Sequence, residues 1–282
     1  MASGNSSEGR FPFGKKAREK EIEFHRDVTA AMRLKEETEG RINKLYAVYD
    51  EPLEDSNYKS DSTFENTFRY ALPPGSGTLR WYVEESLEGK KGRAVGVEFG
   101  GPGSALFAGF SKGFFARSLG VTLADIRGNL EPNPTSRDEE RHHSILEGDI
   151  TFPQTYARVH EWLAGEKADF IVERMEGGRL NIPKDPILLG QAFNTWYEML
   201  AENGIILAQT SSWMRPLLTE WKALLDARCG NTLDVGYVAD PQNADVFDAL
   251  RLQKLLGAPQ TLPMLDMRKV RKISKEMVKR GV

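Results

Sequence analysis

The segment Arg93-Ala94-Val95-Gly96-Val97-Glu98-Phe99-Gly100-Gly101-Pro102-Gly103-Ser104, with the apolar run Ala105 to Leu119 behind it, restricts the fold more than any other stretch. A short β-branched run ends in an acid, breaks into glycines and reopens as a helix. That is the layout of a nucleotide-binding βα turn in an open parallel sheet. Glycines are needed there because a chain turning sharply off a strand visits positive φ, and because a ligand must approach main-chain atoms without meeting a Cβ. An ordinary glycine-rich turn has the same spelling, so the decision falls to the residues downstream.

Those residues alternate between two patterns. Val121 to Asp125 is a second short apolar run closing in an acid, and His143 to Ile150 a third, closing in Gly148-Asp149-Ile150. Ala168 to Arg174 is a fourth, after the amphipathic stretch Phe152 to Leu163. Gly204 to Thr210 is a fifth, after the helical pattern Pro186 to Glu202 and the turn Glu202-Asn203-Gly204. Strands alternating with helices predict an α/β fold with a parallel sheet and functional side chains at the strands' C-terminal ends. Further on, Trp213 to Arg228 reads as a helix and Thr232 to Ala239 as a strand. Val246 to Leu255 reads equally well as a helix or as the returning strand of an antiparallel pair. The expected fold is a Rossmann-like open sheet of about seven mostly parallel strands, the last antiparallel, with helices on both faces.

A chain of 282 residues fits one large domain with appended arms. The divisions expected are a polar leader and helical arm over 1–60, a cofactor-binding domain over 61–262 and a basic tail over 263–282. A net charge of -3 gives no overall basic field for nucleic acid or anionic lipid. The tail is the exception: Arg268, Lys269, Arg271, Lys272, Lys275, Lys279 and Arg280 face one acid, Glu276, and a solvated charged helix is the commoner outcome of such a run. A single cysteine, Cys229, rules out an internal disulfide and suits a reducing compartment. The expected location is cytoplasmic. An organellar leader stays open, although Glu8, Glu19 and Glu21 dilute the acid-poor character such leaders need. No apolar run reaches the roughly 20 residues of a membrane helix, so no transmembrane segment is expected. No metal site is expected either.

The order of signals resembles that of class I S-adenosylmethionine-dependent methyltransferases, over roughly Arg93 to Thr210: an acidic glycine loop, an acid after strand two, Gly-Asp after strand three, and Asn-Gly leading into strand five. The resemblance implies S-adenosyl-L-methionine as cofactor. It implies that Glu98, Gly100, Gly101 and Gly103 form the loop beside the methionine moiety, that Asp125, with Ile126 after it, holds the ribose hydroxyls, and that Asp149 and Ile150 meet the adenine. This chain has one residue fewer between its acid and last glycine than the family's usual loop.

Methyl transfer asks mainly for alignment and exclusion of water, and positioning alone is worth roughly 7 to 11 kcal/mol. A base is needed only where the acceptor must first lose a proton. The weak candidates are Glu173 and Arg174, for which a loop salt bridge is an equal reading. His142 and His143 precede strand three at its N-terminal edge, away from the expected ligand side, and read as structural rather than catalytic. Strand four ends in Glu173-Arg174-Met175-Glu176, not in the Asn/Asp-Pro-Pro-aromatic signature of related enzymes that methylate amino groups. There is also no clear Lys-Asp-Lys-Glu set of the kind similar ribose methyltransferases use. The expected acceptor is therefore an O or N atom, less readily C, of a small molecule. A protein is possible and nucleic acid disfavoured. Two other classes compete: a non-catalytic member of the same fold, and an NAD(P)-dependent oxidoreductase. The latter calls for a third glycine where Leu106 stands.

Overall fold

The structure, a computed structural model, describes residues 68–101, 103–122, 139–148, 153–173, 186–239 and 247–279. The strands are β1 (Ala94–Phe99), β2 (Phe115–Thr122), β3 (His143–Glu147), β4 (Ala168–Glu173), β5 (Leu200–Ser211), β6 (Leu233–Ala239) and β7 (Phe247–Lys254). The helices are α1 (Leu79–Ser86), α2 (Ser104–Ala108), α3 (Pro153–Leu163), α4 (Pro186–Met199), α5 (Arg215–Cys229) and α6 (Met267–Lys279).

The strands form one sheet in the order β3-β2-β1-β4-β5-β7-β6. β1 to β5 pair in parallel, and β7 lies antiparallel between β5 and β6. The expected fold class is therefore observed. Every residue of β1 and β4 is buried, as expected of central strands covered on both faces. Alternation splits the core in two. Val95, Val97, Phe99, Leu119, Ile171, Ile206 and Leu250 face α3, α4 and α5, meeting Leu163, Phe193, Trp196, Leu217 and Trp221. Ala94, Phe170, Val172, Ile205, Leu207 and Ala249 face the other way, onto α1 through Leu79 and Val83 and onto Leu106, Phe107, Phe110 and Phe114.

Three local outcomes differ from the sequence expectation or decide it. The apolar run 105–119 is not one helix: α2 lasts five residues, and β2 has begun by Phe115. The change of state comes at Gly109 and Gly113, the latter at φ +72, and the rings of Phe107, Phe110, Phe114 and Phe115 pack on one another across the turn, with centroids about 5 to 6 Å apart. Second, β5 begins before the expected turn. Leu200 pairs with Ala168 and Ile205 with Phe170, so residues 201–204 are looped out, with Asn203 at φ +63. Third, 247–254 is strand rather than helix, because its neighbours differ by face: Leu250 and Leu252 lie in one core, Ala249 in the other.

Beyond β7 the chain crosses α4. The Tyr197 hydroxyl donates to the Pro259 carbonyl at 2.7 Å, and the Leu262 N–H donates to Asn194 Oδ1 at 3.1 Å. The indole N–H of Trp221 donates to the Pro263 carbonyl at 2.8 Å. These bonds satisfy polar groups that the surrounding apolar packing would otherwise strand, and they fix the approach of α6, which packs on α5 through Val270 and Ile273. Among the described residues, no helix is long and apolar enough to cross a membrane.

Candidate functional site

In an open α/β sheet the ligand crevice lies at the strands' carboxyl ends, where connections leave in opposite directions. Here that point is between β1 and β4, since β1 leads to β2 on one side while the return from β3 enters β4 on the other. Phe99 pairs with Glu173 and Glu98 with Val172 at this end. Both carboxylates, Glu98 and Glu173, are fully buried. Paired residues of parallel strands share a face, so Glu173 lies on the Phe99 side toward α4 and Glu98 on the opposite side toward α2. The two acids thus flank the switch point from opposite faces.

The loop between β1 and α2 runs across the end of β2. Gly100, at φ +92, donates its N–H to the Val121 carbonyl at 2.9 Å, and Gly101 bridges to the same residue. Gly103, at φ +76, opens α2 and accepts from the Phe107 N–H at 2.9 Å. A Cβ on Gly103 would lie 2.9 Å from His143 Cε1, 3.2 Å from Phe107 Cε2 and 3.3 Å from the Gly120 Cα. Both conformation and space therefore exclude a side chain. The result is a glycine-rich bend at the switch point, opening directly into a helix.

The remaining expected residues, Asp125, Ile126, Asp149, Ile150 and Arg174, lie outside the described residues. What is described is the pair of strands that precede them: β2 and β3 are neighbours and pair as far as Thr122 with Glu147. Of the expected set, the structure brings Glu98, Gly100, Gly101, Gly103 and Glu173 to one end of two adjacent strands.

Two features of this edge escaped the sequence. His143 opens β3 and is structural, as expected, but its place beneath the glycine bend was not foreseen. It is buried, its Nδ1 lies 2.8 Å from Ser118 Oγ, its ring tilts against Phe107 with centroids 5.7 Å apart, and it fills the space beneath Gly103. The second feature is Asp248, fully buried opposite Thr210 at the end of β5. Arg215 Nε and Nη2 donate to its carboxylate at 3.0 and 2.7 Å, and the Tyr237 hydroxyl donates to it as well. Burial first, and then the Asp248 anion it bonds, push the Tyr237 hydroxyl well above the ordinary tyrosine range, while the same carboxylate raises Arg215. Neither cluster has a local signature, because its members come from separate elements. No group of metal-ligating side chains occurs among the described residues.

No family model matches the chain, and no curated protein matches it. Solved structures do resemble it at low identity. An rRNA methylase from Streptococcus thermophilus is 11% identical, over 62% of this chain and 94% of its own, with a TM-score of 0.42. An O-methyltransferase from Bacillus cereus in complex with SAH is 13% identical over 70% of this chain and 91% of its own, with a TM-score of 0.41. The N-methyltransferase NodS from Bradyrhizobium japonicum is 15% identical over 62% and 94%, with a TM-score of 0.37. At such scores, what bears on this chain's chemistry is its own strand order and loop.

Proposed function

We propose that this protein is an S-adenosylmethionine-dependent methyltransferase acting on an oxygen or nitrogen acceptor. The observation that carries this is the glycine-rich bend at the β1/β4 switch point, where Gly100 and Gly103 are both left-handed. Glycines at such a bend let a ligand approach main-chain atoms without meeting a Cβ. The dinucleotide alternative is supported less well. Its sheet order is 3-2-1-4-5-6, whereas here an antiparallel β7 separates β5 from β6, and Leu106, at its third glycine position, is a core residue.

The cofactor supplies an activated methyl group on a sulfonium sulfur. In this reading the glycine bend from Gly100 to Gly103 receives its amino-acid end. Glu98, buried beneath that bend, offers a carboxylate to the ammonium group. Asp125, with Ile126, and Asp149, with Ile150, come after the paired strands β2 and β3 and receive ribose and adenine. Both oxygens of an ionised carboxylate accept, so Asp125 suits two neighbouring hydroxyls. Glu173, at the end of β4, with Arg174 after it, lies on the acceptor's side. Its part is to orient the acceptor, and the catalytic gain comes from alignment and exclusion of water. A small molecule is the acceptor that the sequence favours, with a protein second.

Calorimetry tests the cofactor directly. S-adenosylhomocysteine is expected to bind and NAD not to; the reverse result overturns the proposal. Asp125→Ala is expected to weaken S-adenosylhomocysteine about 10- to 100-fold, the worth of one or two charge-assisted hydrogen bonds, with the melting temperature unchanged. Undiminished affinity in that variant would remove Asp125 from the site.

A further inference from the structure

Helix α6 concentrates charge that the rest of the chain lacks. Residues 267–280 hold seven cations and one acid in a protein of net charge -3, which leaves -9 on everything else. The helix is also placed with respect to the site. α4 joins the carboxyl end of β4 to the start of β5, so it runs from the crevice edge of the sheet to the opposite edge. The segment after β7 retraces that path. Pro259 meets Tyr197 in α4's last turn, Leu262 meets Asn194, and a Cβ on Gly190, in the first turns, would lie 2.4 Å from Met264 Cε. α6 therefore starts level with the crevice, beside Glu220 of α5, which Lys269 pairs with.

The helix divides cleanly by face. Val270 and Ile273 pack into the core. At about 100° per residue, Arg268, Lys272 and Lys275 fall within ~60° of arc on the opposite side, and all three are exposed. Lys279 continues the same spacing in the sequence. Steps of three or four residues advance about 4.5 to 6 Å along the axis, the same order as the separation of consecutive phosphates on a strand. A helix lying on lipid needs its apolar face for the bilayer, but here that face is already spent on the core. Protein interfaces are anchored by aromatic and apolar side chains. The exposed large hydrophobics among the described residues, Tyr70, Trp81 and Leu256, lie on other elements. A row of cations with a single acid, Glu276, at its border, on an otherwise acidic molecule, suits a regularly charged polyanion.

We infer that the outward face of α6, through Arg268, Lys272 and Lys275, docks the phosphate backbone of a nucleic-acid strand alongside the crevice. Resting on the methyltransferase proposal, this makes the acceptor a group on that strand and replaces the small molecule favoured by the sequence.

The test uses the whole protein with a fluorescein-labelled single-stranded RNA oligonucleotide, titrated by anisotropy across a range of potassium chloride concentrations. Three phosphate contacts predict a slope of about -2 for log affinity against log salt. Arg268→Ala/Lys272→Ala/Lys275→Ala is expected to lower affinity at least tenfold and flatten that slope, while S-adenosylhomocysteine binding and melting temperature stay unchanged. The inference is overturned by absence of RNA binding at low salt, by equal binding in the triple variant, or by capture on phosphatidylserine-containing vesicles that RNA does not displace. RNA binding without S-adenosylhomocysteine binding would keep the docking surface and remove the methyltransferase proposal.

Discussion

A methyl group on Gly103 meets two obstacles at once. The residue sits at φ +76, where a Cβ costs about 1 to 2 kcal/mol, and the new carbon would press on the His143 ring and the Gly120 backbone at 2.9 and 3.3 Å. Gly103→Ala is therefore expected to destabilise the fold by more than ~2 kcal/mol and to weaken S-adenosylhomocysteine binding, read from urea unfolding and calorimetry. Gly75 is the control. It sits at φ +85 with nothing within 4 Å of a Cβ, so its alanine variant should lose only the conformational part, about 1 to 2 kcal/mol. The glycine cluster was legible in the sequence because it demands a residue type. The ring beneath it was not. His143 belongs to β3, which does not touch β1, and only the intervening β2 brings the two together.

At the scale of elements, legibility tracks burial. β1, β4 and the later part of β5 stand out as apolar runs because both faces are covered. The run from Ala105 to Leu119 is just as apolar, yet it holds a short helix, a phenylalanine turn and a strand. Apolarity marks burial without saying by which element. β7 was ambiguous for a related reason: it carries Asp248 and Arg251 among its apolar residues, and each is buried with a partner from another element. The Asp248–Arg215 tie joins β7 to α5 asymmetrically, since the Asp248 side chain is wholly buried while that of Arg215 is 40% exposed. Removing the arginine leaves a buried carboxylate with the Tyr237 hydroxyl but without its cation. Arg215→Met is expected to cost about 3 to 5 kcal/mol. Asp248→Asn leaves a cation that reaches water and should cost less, about 1 to 2 kcal/mol. The double variant should recover part of the Arg215→Met loss, and urea midpoints of all three decide it. Equal losses in the two single variants would show that the tie is not held by burial of the acid.

At the scale of the whole molecule, buried tyrosines among the described residues set the response to alkaline conditions. Tyr82, Tyr197 and Tyr237 are all raised, chiefly by burial. A group that holds its proton more tightly when folded contributes its full stability below the unfolded value near 10 and loses it as pH climbs, by up to about 1.4 kcal/mol per pH unit. Lys254, lowered by desolvation, acts with opposite sign, but only up to its ordinary value near 10.5. Urea midpoints of the wild type should therefore fall steeply above about pH 10, and those of Tyr237→Phe less steeply. The charge total illustrates what a whole-chain quantity conceals, since a net of -3 averages a cationic helix with an acidic remainder, and only the placement of α6 separates them. The strand order also has a consequence for synthesis. β6 touches the sheet only through β7, so a nascent chain that has emerged as far as Ala239 has no seat for β6, and β5 shows a bare, apolar rim. Until Lys254 leaves the ribosome that rim invites pairing with other chains, which makes this last strand the closing bolt of the domain and a premature stop before it a route to aggregation.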